Sequence, residues 1–231
     1  MVEPADAEAW MATLAKTAGR QVARFRMERK LTAQQLSDEL KGRLGFEMKR
    51  TVVGNLESGY RRTISLAELL ALASVLGVPP LLLVVPVAVE AEFEVLPGTT
   101  LDSWRAARWI SGEARLPAGT GDSLQRHLAM DWTWEALDLY RGHDDAVDRA
   151  EFARRQYQRA LDDLVRIEDG GSAEEIAEEE SRVRAAERET RTADTALQVM
   201  RRAIRDHKWP LPTLDGALAR RIDDQEGGAG A

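Results

Sequence analysis

The chain has no cysteine among its 231 residues, so it forms no disulfide, offers no thiol nucleophile and builds no zinc–thiolate finger. Histidine is almost as scarce. His127, His143 and His207 stand alone, without the paired spacing that holds a catalytic metal. No glycine-rich phosphate loop follows a strand pattern, and His143, Asp144 and Asp145 read as a helix start rather than a ligand set. No enzyme, cofactor or metal is expected. The apolar run at 81–89 is short and interrupted by Pro86, too little to cross a bilayer. The opening MVEPADAEAW is acidic and lacks the apolar centre of a signal peptide. Together these absences predict a cytoplasmic protein with no membrane contact.

Charge is present but unevenly placed. The whole chain carries a net −7, yet residues 16–62 hold 12 basic side chains against 5 acidic ones. Residues 87–231 hold 20 basic against 30 acidic. A local basic surface neutralises phosphates and releases their counterions. The acidic remainder is expected to point away from a nucleic acid.

Within the basic segment two short helices are legible. Thr32 and Gln35 form a capping box, each able to satisfy a free backbone N–H of the other. Leu36 and Leu40 then share one face. After a nine-residue connector, 41–49, a second helix is expected over about 49–58, with Met48, Val53 and Leu56 inward and Gly59 as its stop. Its outer face shows Lys49, Arg50, Thr51, Val52 and Asn55. A polar, basic face on a short helix pinned by apolar residues suits the major groove. A further helix is expected upstream at 17–29, with Val22 and Phe25 inward. Two more follow downstream. One is SLAELLALASVLG, with a box at Ser65 and Glu68 and an end at Gly77, and the other is PLLLV, where Pro80 suits a first turn.

The strings LTAQQL at 31–36, NLESG at 55–59 and AELLALASVLGVPP at 67–80 resemble the Cro/repressor-type (XRE) helix-turn-helix regulators, across residues 17–86. There are two departures. Ser37 stands where the family usually has alanine, and the connector between helices two and three is longer, as in an actinobacterial-like subgroup. The resemblance implies a five-helix domain over 1–86 that binds double-stranded DNA. It also implies a transcriptional regulator, a repressor acting as a homodimer on two half-sites. It places Lys49 and Arg50 at base edges, Thr51 on a base or phosphate, Val52 on a thymine methyl and Asn55 on adenine or phosphate. Thr32, Gln34 and Gln35 would hold a phosphate at the start of helix two, and Arg61 and Arg62 would grip the backbone. Blander roles compete: Val52 as core, Gln35 as cap alone, Glu57 as a brace. Gly54 would admit a close backbone or answer to packing.

Beyond Pro86 a connector over 87–121 is expected. VAVEAEFEV at 87–95 alternates like a strand, and a lone strand needs a partner, either its copy in a dimer or the helices. A short helix at 101–113 carries Trp104, Arg108 and Trp109, and 116–122 reads as a loop. Trp104, Trp109, Trp132 and Trp134 are near enough in sequence to line a pocket, though tryptophans are more often core.

Residues 122–231 are expected to be helical, making the chain mainly α. A helix after Asp122 would carry Leu124, Leu128, Trp132, Ala136 and Leu139. A long helix at 144–168 has Val147, Ala150, Tyr157, Leu161 and Leu164 on one face. A second, capped by Ser172 and Glu175, runs to about 207 with a heptad series Ile176, Val183, Thr190, Leu197 and Ile204, flanked by Ala186, Ala193 and Met200. The glycines at 170 and 171 should fold the two into an antiparallel hairpin, with coiled-coil character. Intramolecular packing, dimerisation and docking of another protein all fit this stripe, and dimerisation is favoured. In the third case the chain would be an antitoxin or adaptor with DNA binding secondary. The glutamates at 174–180 read as a solvated face, and Arg201, Arg202 and Arg205 as helix-end charges.

Overall fold

A computed structural model describes residues 4–116 and 131–228. The described chain is mainly α and divides into two compact units, with the boundary near residue 117.

The first unit opens with α1 (Pro4–Glu28), α2 (Ala33–Leu44), α3 (Arg50–Glu57), α4 (Leu66–Leu76) and α5 (Leu81–Val84). Val22, Phe25, Leu36, Leu40, Met48, Val53, Leu56 and Leu72 are buried together as its core. Both expected capping boxes form, Thr32 with Gln35 and Ser65 with Glu68, and Gly45 and Gly77 end their helices in the left-handed conformation.

Two boundaries differ from expectation. α1 begins thirteen residues earlier than Thr17, because its added turns have their own surface to cover: Leu14 packs on a second apolar cluster, and Trp10 Nε1 donates to the Glu94 carbonyl. α2 continues through Leu44, so much of the long connector is helix, and only residues 45–49 link α2 to α3. Ser37, the other departure, has its reason in the same place. Its hydroxyl donates to the Met48 carbonyl at 2.6 Å and ties that link down.

The strand finds its partner within the chain. β1 (Glu92–Leu96) pairs antiparallel with β2 (Thr99–Asp102), Phe93 facing Leu101 in register, with a bulge between Glu94 and Leu96. Pro97 and Gly98 make the turn, Gly98 taking a left-handed φ of 71° that favours glycine. The strand is shorter than the alternation predicted. Pro86 bends the chain into a turn, its carbonyl receiving the N–H groups of Val89 and Glu90, before pairing begins. Then α6 (Ser103–Ile110), capped by Asp102, lays Ala106 and Ala107 on Phe93, Val95 and Val85. Trp109 packs at the edge of this cluster, whereas Trp104 is 61% exposed.

The second unit contains α7 (Asp131–Glu168), α8 (Ala173–Asp206) and α9 (Gly216–Gly228). The two expected helices before residue 168 are one helix from Asp131, so His143 sits mid-helix, not at a start. It is 1% exposed, and its Nε2 lies 3.2 Å from Arg201 Nη1. Arginine can only donate there, so the imidazole Nε2 is the accepting atom, and Nδ1 lies 3.3 Å from Asp144 Oδ1. Arg201 also donates to the Pro212 carbonyl and is therefore a clasp rather than a solvated helix-end charge. Leu124 and Leu128 lie outside the described residues, as does most of the 116–122 loop.

α7 and α8 pack together as the expected hairpin, the Met200 sulfur lying beside Gly142. The stripe faces inward: Leu197 and Ile204 are buried, and Tyr157, Leu161, Leu164, Ile176, Val183 and Met200 are half-buried. Sequence patterning did not reveal α9, whose Leu218 and Ile222 close the core over Ala146, Ala150 and Leu197. No described helix is long and apolar enough to cross a membrane.

Candidate nucleic-acid interface

The site is built on α3. Val53 and Leu56 are fully buried and fix which side of the helix meets solvent. Arg50, Thr51 and Asn55 lie on the exposed side, and Lys49, exposed too, sits at the N-cap. No side chain caps the helix, which leaves its first N–H groups open to an outside acceptor. Val52 is half-buried against the domain core, so its methyls are only partly on the outer face.

Two contacts from α1 hold α3 in place, and a third ties α1 to α4. Gly19 of α1 passes so close to the Leu56 carbonyl that a Cβ there would overlap the oxygen. Arg26 grips the Glu57 carboxylate with two hydrogen bonds, Nε–Oε1 at 2.6 Å and Nη2–Oε2 at 2.7 Å, and spans to the Leu31 carbonyl. The Glu57 bond raises the Arg26 pKa further, against a smaller opposing effect of burial. Arg29 donates to the Val75 carbonyl, joining α1 to α4. Glu57 is thus a brace rather than a base-reading group.

Of the twelve basic side chains in 16–62, six are committed to carboxylates. They are Arg20 with Glu90, Arg24 with Glu28, Arg26 with Glu57, Lys41 with Glu47, Arg43 with Glu39 and Arg61 with Glu68. Lys16, Lys30, Lys49, Arg50 and Arg62 have no carboxylate within 4.0 Å among the described residues. The bulk charge surplus therefore resolves into a few available cations, two of them at the start of α3. Arg61 departs from its expected use. Its guanidinium makes two hydrogen bonds to Glu68, at 2.7 and 3.1 Å, and the expectation of a free backbone grip falls to Arg62. Burial alone would push Glu68 upward, but Arg61 and the N–H and hydroxyl of Ser65 outweigh it and hold the carboxyl below its ordinary value.

Around the end of α3 the added turns of α1 contribute. Lys16 lies against Gly59, and Tyr60 beside it is 85% exposed. Glu8, Ala9 and Ala12 of α1 face Ser58, Gly59, Tyr60 and Arg62 across a shallow groove. Sequence reasoning did not single out Lys16, because the helix was expected to start one residue later at Thr17, or Tyr60, which lies past the Gly59 stop of α3. At the start of α2, Thr32, Gln34 and Gln35 are exposed. Gln35 spends its oxygen on the Thr32 N–H and Gln34 bonds Asp38, which leaves the Gln35 amide N–H₂ outward-capable.

This arrangement defines a helix-turn-helix domain, with α2 as the supporting helix and α3 as the presented one. The match with known proteins agrees: residues 22–83 fit the family model of a helix-turn-helix, of the XRE type. No curated protein and no solved structure matches the chain. Domains of this class bind DNA and serve transcription regulation, and they are typically non-enzymatic.

Proposed function

We propose that the protein is a sequence-specific transcriptional regulator that binds double-stranded DNA as a homodimer and represses by covering a promoter. The observation that carries this reading is the presented face of α3: Lys49 and Arg50 without carboxylate partners among the described residues, followed by Thr51 and Asn55, all exposed. Arg50 would take a guanine edge with two parallel hydrogen bonds, and Asn55, one turn on, an adenine or a phosphate. Thr51 and the outer part of Val52 would complete the contact. Thr32, Gln34, Gln35 and Arg62 would hold phosphates on either side, fixing register without reading sequence.

Gly54 supports the same reading. It lies on the Arg50 and Asn55 side, and among the described residues nothing beyond its own helix backbone comes within 4 Å of a Cβ built there, so the described packing does not demand it. A glycine at that place lets a DNA backbone or base edge come close.

Support for the dimer comes from the hairpin. The apolar core closed by Leu218 and Ile222 is confined to the end of α7 and α8 near Ala146, Ala150 and Leu197. Farther along, Leu161, Leu164, Ile176 and Val183 are only half-buried, and a second copy would cover what remains of that stripe. Sedimentation of the free chain and of its complex with a bound duplex tests this. Two chains per duplex are expected. One chain per duplex would remove the homodimer and leave a monomeric DNA-binding protein.

A further inference from the structure

The second unit holds a cavity of about 280 Å³ between α7, α8 and α9. Arg154 and Tyr157 line it from α7, Thr190 and Arg191 from α8, and Arg221 from α9. Its floor is Asp194, 1% exposed and gripped by Arg221 through two hydrogen bonds, Nε–Oδ2 at 2.9 Å and Nη2–Oδ1 at 2.8 Å. The pair cancels the buried negative charge, so the floor does not repel an anion at full strength.

Donors remain above that floor. The Nη1 of Arg221 makes no hydrogen bond among the described residues, since its other contacts run through Nε and Nη2. The Arg154 guanidinium stacks over the Tyr157 ring, 5.4 Å from its centroid, and has no carboxylate partner among the described residues. The Tyr157 hydroxyl likewise has no partner among them. Thr190 donates to the Ala186 carbonyl, which leaves its oxygen able only to accept. On the rim, Arg191 pairs with Glu187 at 3.1 Å. Three guanidiniums thus face two carboxylates, and the uncommitted N–H and O–H groups belong to one cavity.

We propose that this cavity binds a small oxyanion, a carboxylate or a phosphate monoester, held by Arg154, the Tyr157 hydroxyl and Arg221 Nη1. Planar guanidinium groups match the paired oxygens of either anion, and a charge-assisted bond in a partly enclosed site is stronger than one on open surface. Because α7 and α9 both supply donors, an occupant joins α9 to the hairpin and stabilises the unit in proportion to its concentration. The proposal needs no DNA and stands apart from the reading of α3.

The test is a titration of the isotope-labelled full chain, followed by amide chemical shifts, with inorganic phosphate and with acetate at constant ionic strength and chloride as control. Saturable shifts at Tyr157, Thr190 and Arg221 with at least one oxyanion are expected. Phosphate alone would mark a phosphate ester as the ligand class, and acetate alone a carboxylate. Arg154→Gln should weaken binding roughly tenfold, the worth of one charge-assisted contact, and Tyr157→Phe by a smaller factor. Both positions are at least partly exposed, so the variants should keep the wild-type spectrum elsewhere. Shifts that do not saturate, that chloride reproduces, or that Arg154→Gln leaves unchanged would overturn the proposal.

Discussion

Gly19 and Leu56 meet backbone to backbone: α1 crosses α3 with no room for a Cβ between Gly19 and the Leu56 carbonyl. The presented helix is therefore seated by a missing side chain as much as by the buried Val53 and Leu56. Gly19→Ala should push α3 off α1 and cost about 1–3 kcal/mol, the usual cost of overpacking. Gly54→Ala should do the reverse, stabilising the domain by about 0.5–1 kcal/mol, because that site is open and the helix gains from alanine. Denaturant unfolding of both variants measures the contrast. Gly54→Ala should nevertheless weaken DNA binding, which separates its effect on affinity from any effect on stability.

Arg26 and Glu57 supply the second hold on α3. Arg26→Met leaves the largely buried Glu57 carboxylate without its partner and should cost about 2 kcal/mol. Arg26→Met with Glu57→Gln should recover part of that loss. A double variant as unstable as the sum of the two singles would show that the two groups do not act as a pair.

Acid should loosen the same domain through Glu68. Its folded-state carboxyl titrates below the ordinary value of 4.5, so the stabilisation is complete above that value and is lost as pH falls through the lower folded one. Glu47, held down by the hydrogen bond from Lys41, acts in the same direction. Unfolding midpoints should thus drop on acidification below pH 4.5, and Glu68→Gln should make that drop shallower. An unchanged pH profile in Glu68→Gln would remove Glu68 as a contributor.

In the second unit Arg221 protects Asp194. Arg221→Leu leaves a carboxylate that is 1% exposed without its guanidinium and should destabilise the unit by about 3–5 kcal/mol. Adding Asp194→Asn should restore much of the loss, as read by thermal unfolding.

Much of this molecule was readable in the chain. The three capping boxes, the inward triplet of Met48, Val53 and Leu56, and the terminal glycines are local signals, each carried by residues a few positions apart, and the structure places them as the spacing predicts. What escaped was set by distant partners. Nothing near Gly19 announces Leu56, nothing near Arg61 singles out Glu68 over a phosphate, and the turns of α1 before Thr17 exist because Leu14 and Trp10 have a hairpin to cover. The hairpin itself was half visible. Alternation marked β1, but β2 is four residues of mixed character, recognisable only once the turn at Pro97 and Gly98 brings it alongside. α9 was hidden for a similar reason, since Leu218 and Ile222 make too short a stripe to stand out without the core they close.

Within the interface the two kinds of arginine should separate. Arg50→Ala should erase preference among sequences, at about 1–3 kcal/mol per base pair read, while Arg62→Ala should weaken all sequences alike and lower the salt slope by about one. Arg61→Ala should act mainly on stability, through Glu68.

Selection of bound duplexes from a randomised pool, at near-physiological salt, bears most directly on the role of α3. An inverted repeat is expected, its half-sites about one helical turn apart, with the preference lost in Arg50→Ala. Weak, salt-sensitive recovery of all sequences alike would contradict a sequence-reading regulator.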